Sequence, residues 1–227
     1  MMTPTALTMR PRVVLFDLDG TLVDSAPDLA GAINDVLAEE GRPTLPYERL
    51  RPMVGSGARG MVGTAFGLKP GDEGYEPRRT RFLEIYATRS LRLTRVFDDI
   101  ETLLHGIERA GLRWGIVTNK AHHLAQPIVR GLDLGDRAGV LIGGDTTAHA
   151  KPHPEPLLEA ARRLSVDPAH CAYIGDDLRD IQAGRAAGMR TAAAAWGYLG
   201  DGEPVHAWQA DAVLNRPLEL LNWLDLA

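Results

Sequence analysis

The fold of this 227-residue chain is decided by one stretch near its beginning, Arg12-Val13-Val14-Leu15-Phe16-Asp17-Leu18-Asp19-Gly20-Thr21. After Arg12, its first half is apolar and partly β-branched without polar alternation, which is typical of a strand buried on both faces of a parallel sheet. The second half changes at once to carboxylates, a glycine and a hydroxyl. The stretch therefore predicts a buried strand that ends in polar side chains at one edge of a sheet.

Similar short apolar runs recur along the chain and predict the rest of the sheet. They occupy residues 112–117, 140–142 and 172–174, with shorter runs at 190–194 and 212–214. Between them, residues 99–110 and 155–164 carry apolar side chains three and four positions apart, which indicates helices. Strands that alternate with helices predict an α/β fold, a Rossmann-like three-layer core around a mostly parallel sheet.

One interval interrupts this alternation. From residue 25 to residue 95 no buried strand is apparent, and helix-like segments at 28–40 and 78–91 are separated by loops that contain glycine and proline. The pattern predicts a helical insertion after the first strand. The predicted division is a core of residues 1–24 and 96–227 and a helical cap of residues 25–95.

Composition limits the classes of protein that the chain can represent. Hydrophobic residues make up 44% and charged residues 24%, as in ordinary globular proteins, and a net charge of −5 argues against a nucleic-acid-binding face. The one cysteine, Cys171, lies in an apolar run, which predicts a buried thiol and fits a reducing compartment. No apolar run approaches the roughly 20 residues of a membrane helix. We therefore expect a cytoplasmic protein that binds neither membrane nor nucleic acid, with residues 1–10 as a loose leader.

Polar residues follow several of the predicted strands, at the point where each strand ends. They are Asp17 and Asp19, Thr118 and Asn119, Lys151 in the loop after the third run, and Asp176 with Asp177. Because the carboxyl ends of parallel strands line one crevice, these groups are expected to converge. Crowded carboxylates repel one another unless a divalent cation lies between them, and oxygen ligands with few imidazoles favour Mg²⁺ over zinc. The sequence therefore predicts a magnesium site.

The order of these groups is similar to that of a known family. Residues 17–21, Thr118, Lys151 and residues 175–180 resemble, in order, the four motifs of the haloacid dehalogenase superfamily of phosphotransferases. The match extends over most of the chain, and the helical insertion resembles the small mobile cap of that superfamily. The resemblance implies a phosphatase that hydrolyses a small phosphorylated metabolite through an aspartyl-phosphate intermediate.

The resemblance also implies a role for each matched residue. Asp17 attacks phosphorus, and Asp19 protonates the leaving oxygen and then activates water. Gly20 lets the chain turn tightly beside the phosphate. The Thr118 hydroxyl and the Asn119 backbone amide bind phosphoryl oxygens, and Lys151 neutralises charge.

The metal ligands implied by the same resemblance are the Asp17 carboxylate, the Asp19 backbone carbonyl and the Asp176 carboxylate, which would hold Mg²⁺. Asp180 is expected to brace the loop, while Asp177 is either a ligand or a residue outside the ligand set. Asp19 also favours phosphate chemistry over dehalogenation, since enzymes that cleave carbon–halogen bonds have no need of this second aspartate.

A glycine pattern in the insertion offers a competing interpretation. Residues 55–60 fit the dinucleotide pattern G-x-G-x-x-G, but no clear strand precedes them and no β-α-β unit surrounds them. We expect instead a cap loop that faces the crevice, in which Gly57 permits close approach of substrate. Arg59 either binds a substrate anion or is an exposed or structural arginine. His149 and His153, which flank Lys151, either line the entrance of the crevice or, as we expect, are solvated. Tyr198 either touches substrate or, as we expect, packs.

Two branches of the superfamily resemble the chain about equally. Residues 117–120, 143–145 and 151–158 are similar to phosphoglycolate phosphatases, whereas residues 56–59, 175–181, 188–192 and 197–198 are similar to the N-acetylmuramic acid 6-phosphate phosphatases of cell-wall recycling. The first expectation is therefore 2-phosphoglycolate, and N-acetylmuramic acid 6-phosphate is the alternative. A phosphomutase and a non-catalytic nucleotide-binding module are weaker alternatives.

Overall fold

The structure, a computed structural model, describes residues 11–226, so the predicted leader at residues 1–10 lies outside the described residues. In chain order the strands are β1 (Val13–Phe16), β2 (Val23–Asp24), β3 (Arg95–Val96), β4 (Arg113–Val117), β5 (Leu141–Ile142), β6 (Cys171–Gly175), β7 (Arg190–Ala194) and β8 (Ala212–Leu214). The helices are α1 (Ala26–Glu39), α2 (Tyr47–Leu50), α3 (Gly57–Phe66), α4 (Tyr75–Arg89), α5 (Ile100–Arg109), α6 (His122–Gly131), α7 (Glu155–Arg163), α8 (Leu178–Ala186) and α9 (Glu219–Trp223).

Six of the strands form one parallel sheet in the order β5-β4-β1-β6-β7-β8. The first strand lies in the middle of it, between β4 and β6. This central place explains why β1 is apolar along its whole length. From β1 the chain builds the sheet outward first on one side and then on the other, so a crevice opens at the carboxyl ends of the central strands.

Helices cover both faces of the sheet. Alternate residues of β1 belong to different clusters: Val14 and Phe16 pack in one, and Val13 and Leu15 in the other. The first cluster includes Ile100, Leu103, Leu104 and Ile107 of α5, Ile128 of α6 and Leu220 of α9, and the second includes Leu157, Ala160 and Ala161 of α7 and Ala183 of α8. The predicted three-layer α/β fold is therefore confirmed.

The interval between β2 and β3 contains α1, α2, α3 and α4, with a short 3₁₀ helix at Arg51–Ser56. Helix α1 packs on both α3 and α4. The two ends of the insertion are joined by the antiparallel pair β2–β3, in which Val23 faces Val96 and Asp24 faces Arg95. Sequence patterns missed this pair because two residues are too few to show a period. The division into core and cap domains stays a prediction.

Buried Asp28 fastens the start of the insertion to its end. One carboxylate oxygen of Asp28 accepts hydrogen bonds from the backbone amides of Leu93 (2.9 Å) and Thr94 (2.8 Å) and from the Thr94 hydroxyl (2.8 Å). Such charge-assisted bonds in a buried place are strong. They fix the direction in which the chain leaves and re-enters the sheet.

Within residues 11–226, none of the helices combines the length and the apolar character that a membrane span requires.

Candidate active site

A cavity of about 460 Å³ lies where the carboxyl ends of the central strands meet the helical insertion. Of the residues predicted for the site, eight line it: Asp17, Asp19, Gly57, Arg59, Thr118, Asn119, Lys151 and Asp176. Gly20 is not among the lining residues and lies behind the Asp176 carboxylate. The structure thus brings together groups that are up to 159 positions apart in the chain (17 to 176).

Lys151 is the central cation of the crevice. Its ammonium lies 3.0 Å from Asp17 Oδ1 and 2.7 Å from Asp180 Oδ1. It also donates to the Val117 carbonyl (2.9 Å) and to the Tyr173 hydroxyl (2.7 Å). Burial lowers the pKa of Lys151, but the two carboxylates outweigh this effect and hold its pKa above the ordinary value. The side chain therefore remains charged and fixed.

Asp17 carries an unusual pKa for a carboxyl group. Burial raises its pKa to about 7, Lys151 opposes this shift, and the neighbouring Asp180 and Asp19 add to it. The Leu18 amide donates to Asp17 Oδ1 at 2.7 Å, which orients the carboxylate at the end of β1. Lys151 thus both holds Asp17 in place and balances its charge.

Asp176 is buried without a cationic partner among the described residues. One of its oxygens accepts from the Thr21 hydroxyl at 3.0 Å, and the other accepts from the Tyr198 amide at 2.8 Å. Burial, with added repulsion from Asp17, raises its pKa well above the ordinary value. Gly20 adopts φ +88°, and a Cβ there would lie 2.1 Å from Asp176 Oδ2, so a glycine is required.

The donors in this crevice fit a divalent cation with a preference for oxygen. Ligand atoms of Asp17, Asp176 and Asp180 lie within 4.8 Å of one another. If all three are ionised, they carry three negative charges against the single positive charge of Lys151. The remaining two charges match one Mg²⁺ ion, and the absence of imidazole from this group favours magnesium over zinc.

The partners of Asp180 distinguish it from the other two aspartates. Its Oδ1 faces Lys151 and the Tyr173 hydroxyl, and its Oδ2 accepts from the Asp177 amide at 3.1 Å. Both oxygens of Asp176 are engaged as well, but among the three aspartates Asp180 is the one that joins Lys151 to the first turn of α8. This position supports the prediction that Asp180 braces the loop.

Asp177 caps helix α8 and binds Arg179. Its Oδ1 accepts from the Arg179 amide at 2.9 Å and from Arg179 Nε at 2.7 Å. The same guanidinium donates to the Gly55 carbonyl of the insertion at 2.5 Å. Asp177 therefore orients an arginine that links the sheet to the insertion.

Asp19 has partners that the sequence analysis missed. The Lys120 ammonium lies 2.8 Å from each of its carboxylate oxygens, and the Ser25 hydroxyl donates to Oδ1. Lys120 also lies 4.7 Å from the ring centroid of Tyr86 on α4. Burial lowers the pKa of Lys120, yet Asp19 outweighs this and holds that pKa above its ordinary value. The sequence signal that could have predicted this contact is the position of Lys120, which directly follows the predicted site residues Thr118 and Asn119.

Thr118 and Asn119 follow β4. Thr118 is buried, and its hydroxyl accepts from the Lys120 amide at 3.1 Å. The Asn119 side chain forms two hydrogen bonds of 2.9 Å with the backbone of Lys151, one to its carbonyl and one from its amide. Asn119 thus positions the lysine loop through its side chain, in addition to the role predicted for its amide.

Tyr198 does more than pack. Its hydroxyl accepts from the amides of Ser25 (2.9 Å) and Ala26 (3.1 Å) and donates to Asp24 at 3.1 Å. Its own amide holds Asp176. Tyr198 therefore connects Asp176 with the point where the insertion leaves the sheet.

The insertion supplies a different kind of wall to the cavity. Its lining residues include the apolar and aromatic side chains of Leu29, Val54, Tyr75, Phe82, Leu83 and Tyr86. Arg59 and Arg79 also line the cavity, and both are exposed. Gly57 opens α3 with φ +59° and nothing within 4 Å of a Cβ placed there. The loop predicted at residues 55–60 was wrong, because these residues form the end of the 3₁₀ helix Arg51–Ser56 and the first turn of α3. Since a helix rather than a strand directly precedes α3, the dinucleotide-binding alternative loses its support.

Comparisons with known proteins agree with this geometry. The family model of haloacid dehalogenase-like hydrolases matches residues 11–188. An N-acetylmuramic acid 6-phosphate phosphatase of Pseudomonas putida is 44% identical over 219 residues, which cover 96% of this chain and 98% of the relative. A phosphoglycolate phosphatase of Xanthomonas campestris is 48% identical over 211 residues, which cover 92% of this chain and 95% of the relative.

Among solved structures, one described as a predicted phosphoglycolate phosphatase of Haemophilus somnus superposes with a TM-score of 0.84. It is 24% identical, with 95% of this chain and 98% of that chain covered, and it supports the fold alone. The family model and the two relatives confirm the family resemblance drawn from the motifs. The chain therefore belongs to the haloacid dehalogenase-like hydrolases and, within them, to the phosphatases.

Proposed function

We propose that this protein is a Mg²⁺-dependent phosphomonoester hydrolase that forms an aspartyl phosphate on Asp17. The observation that carries the proposal is the pairing of partly buried Asp17 with the Lys151 ammonium at 3.0 Å, with Asp19 two residues further on. Asp17 lines the cavity, so a carboxylate oxygen is available to substrate. Phosphoryl transfer mainly requires positioning and stabilisation of charge, and this pair supplies both.

In the first half of the reaction an Asp17 oxygen forms a bond to phosphorus while the bond to the substrate oxygen breaks. Asp19 gives a proton to that leaving oxygen, so an alcohol departs. In the second half Asp19 takes a proton from water, and the water oxygen attacks phosphorus. Phosphate leaves, and the Asp17 carboxylate is restored.

The other residues of the crevice hold the phosphoryl group and the cation. Thr118 and the Asn119 amide would donate to phosphoryl oxygens, and Lys151 would balance their charge. The Asp17 carboxylate, the Asp19 backbone carbonyl and the Asp176 carboxylate would hold Mg²⁺. When bound, this cation neutralises charge that develops on the transferred phosphoryl group. Gly20 leaves room for Asp176 to face the site.

The division of labour between the two parts of the chain belongs to the same proposal. Residues 1–24 and 96–227 would form the catalytic core, and residues 25–95 would form a cap that closes on substrate. Support comes from the two-stranded base of the insertion and from its aromatic and arginine side chains on the cavity. Gly57 and Arg59 would then contact substrate from the cap. The buried, unpaired Cys171 fits a cytoplasmic place for this enzyme.

Two substrates follow from the names of the relatives, 2-phosphoglycolate and N-acetylmuramic acid 6-phosphate. Both carry a carboxylate, which Arg59 or Arg79 could bind. The size and lining of the cavity support the second one: about 460 Å³ with six apolar or aromatic side chains from the insertion is ample for an acylated sugar phosphate. A two-carbon acid would fill little of this space and would leave the apolar wall without contact.

The test is phosphate release from both candidates, together with hexose phosphates and nucleotides, with and without Mg²⁺. Asp17→Asn should abolish turnover on every substrate, because it removes the anionic nucleophile with little change of shape. Asp136→Asn, which changes an exposed carboxylate, is the matched control and should retain turnover. Turnover by purified Asp17→Asn would overturn the covalent mechanism. Dependence on a bisphosphorylated sugar as activator would instead indicate a phosphomutase.

A further inference from the structure

A second group of potential metal ligands lies outside the crevice, on the loop that carries Lys151. His149, His153 and Glu155 each offer one ligand atom, and these atoms lie within 4.8 Å of one another. His149 Nδ1 is 2.8 Å and His153 Nδ1 is 4.0 Å from the same oxygen, Glu155 Oε2. The two imidazole rings are stacked, with centroids 4.4 Å apart and planes inclined by 27°. Three donors thus converge within a stretch of seven residues (149 to 155).

Hydrogen bonds of the loop already orient these donors. The His149 amide donates to Glu155 Oε2 at 3.1 Å, and the Thr147 hydroxyl donates to the His149 carbonyl at 2.8 Å. The Glu155 amide donates to His153 Nδ1 at 3.2 Å. A cation at this point would replace that last bond and the 2.8 Å hydrogen bond between His149 Nδ1 and Glu155 Oε2. The bonds to the His149 backbone would remain and keep the loop in place.

The donor chemistry differs from that of the crevice. Two imidazole nitrogens and one carboxylate oxygen suit Zn²⁺ and neighbouring transition metals, whereas Mg²⁺ prefers oxygen alone. The side chains of His149, His153 and Glu155 are 62%, 50% and 38% exposed, so water can occupy a fourth coordination position. Zinc ligands lie about 2.0–2.2 Å from the metal, so small changes of exposed rotamers would close the geometry.

The position of this group bears on the active site without being part of it. His149 and His153 stand two residues before and two residues after Lys151. The Lys151 side chain is only 2% exposed and reaches into the crevice, and Asn119 holds its backbone. A cation bound to the outer histidines would thus tie both flanks of the lysine loop while the contacts of the ammonium remain intact.

We propose that His149, His153 and Glu155 form a transition-metal site of the zinc class that fastens the Lys151 loop from outside. The site does not take part in the phosphatase reaction, and it does not depend on the function proposed above. Its expected effects are stoichiometric binding of Zn²⁺ and a higher midpoint of thermal unfolding. The rate of phosphate release should be nearly the same with and without Zn²⁺ at this site.

The experiment is a calorimetric titration of full-length, tag-free protein with Zn²⁺ in a large excess of Mg²⁺, which keeps the crevice occupied. We expect one Zn²⁺ per chain and a raised unfolding midpoint for the wild type. His149→Ala/His153→Ala should lose both effects, and Glu155→Gln should weaken binding by more than about tenfold. Because these side chains are exposed, the variants should fold normally, which circular dichroism checks.

Two controls separate this site from other places where zinc could bind. His206→Ala removes an exposed histidine elsewhere on the chain and should bind Zn²⁺ as the wild type does. Asp176→Asn alters the crevice and should also retain the zinc site. The proposal is overturned if the wild type shows no saturable zinc binding in excess Mg²⁺. It is equally overturned if the double histidine variant binds with the same stoichiometry and affinity.

Discussion

The two walls of the cavity are built in different ways. On the sheet side, the charged groups are buried or partly buried and are hydrogen-bonded to residues distant in sequence, as Lys151 is to Asp17, Val117 and Tyr173. On the insertion side, Arg59 and Arg79 are exposed between apolar and aromatic side chains. A wall of fixed charges suits a reaction with one geometry, whereas a wall of apolar surface and movable cations suits the recognition of a particular substrate.

This difference predicts that the chemical step depends on the sheet wall and that substrate selectivity depends on the insertion wall. Variants of the sheet wall should reduce turnover of every phosphomonoester, and variants of the insertion wall should change KM for some of them. Lys120 tests the boundary, since it binds Asp19 on the sheet side and lies over Tyr86 on the insertion side.

The strongest test of the sheet wall is Asp176→Asn. We expect kcat to fall by roughly 10³-fold on every substrate, because a buried negative charge that faces the proposed cation is removed. In the presence of a chelator, the same variant should unfold at a higher temperature than the wild type, since an uncompensated buried carboxylate is lost. Thermal unfolding with chelator and with Mg²⁺ measures this. Equal turnover of variant and wild type would show that Asp176 is not a ligand of the proposed cation.

Removal of metal is the second test. A chelator should abolish phosphate release, and added Mg²⁺ should restore it fully, because the carboxylates of the crevice carry more negative charge than Lys151 balances. Mg²⁺ should also raise the unfolding midpoint of the wild type but not that of Asp176→Asn. Full activity after exhaustive chelation would contradict the proposed cation site.

Lys120→Met tests the boundary between the walls. We expect kcat to fall by about 10²-fold with little change of KM, since Asp19 loses the ammonium that orients both of its oxygens. Lys120→Arg should recover part of the loss, because a guanidinium can also bind a carboxylate. Tyr86→Phe is the matched control, since it keeps the ring beneath the ammonium. If Lys120→Met changes KM alone, Lys120 belongs to substrate recognition instead.

Arg59→Ala and Arg79→Ala test the insertion wall. For a substrate that carries a carboxylate, loss of a charge-assisted hydrogen bond should raise KM by about tenfold. For p-nitrophenyl phosphate, which has no carboxylate, KM should stay unchanged. Arg92→Ala, which changes another exposed arginine, is the control. A similar loss on both substrates would show that the arginines act on the phosphoryl group or on the fold.

Tyr198→Phe should have the smallest effect on activity and a clear effect on stability. The change removes the hydroxyl that binds the Ser25 and Ala26 amides but keeps the backbone amide that holds Asp176. We expect a loss of about 1–3 kcal/mol in the free energy of unfolding, because buried amides lose their acceptor, while kcat falls less than about tenfold. Denaturant titration measures the first quantity. An unchanged unfolding free energy would mean that water replaces the hydroxyl.

Local sequence patterns were sufficient for the larger elements of this fold. The apolar run of β1 predicted a strand buried on both faces of a parallel sheet, and the runs at 190–194 and 212–214 coincide with β7 and β8. The pair β2–β3 was missed because its pairing depends on residues more than seventy positions apart. The family motifs also led directly to the residues that line the crevice, since each follows the carboxyl end of a strand or lies in the loop beyond it.

The parallel sheet and the chemical character of its edge follow from the amino-acid sequence, because hydrophobic period and residue type are local properties. The partners that hold each charge follow from the folded structure. Lys120 on Asp19, Asn119 on the Lys151 backbone and Tyr198 on the start of α1 are contacts between distant segments. Such contacts depend on strand order and on burial, and neither is a property of any single stretch of the chain.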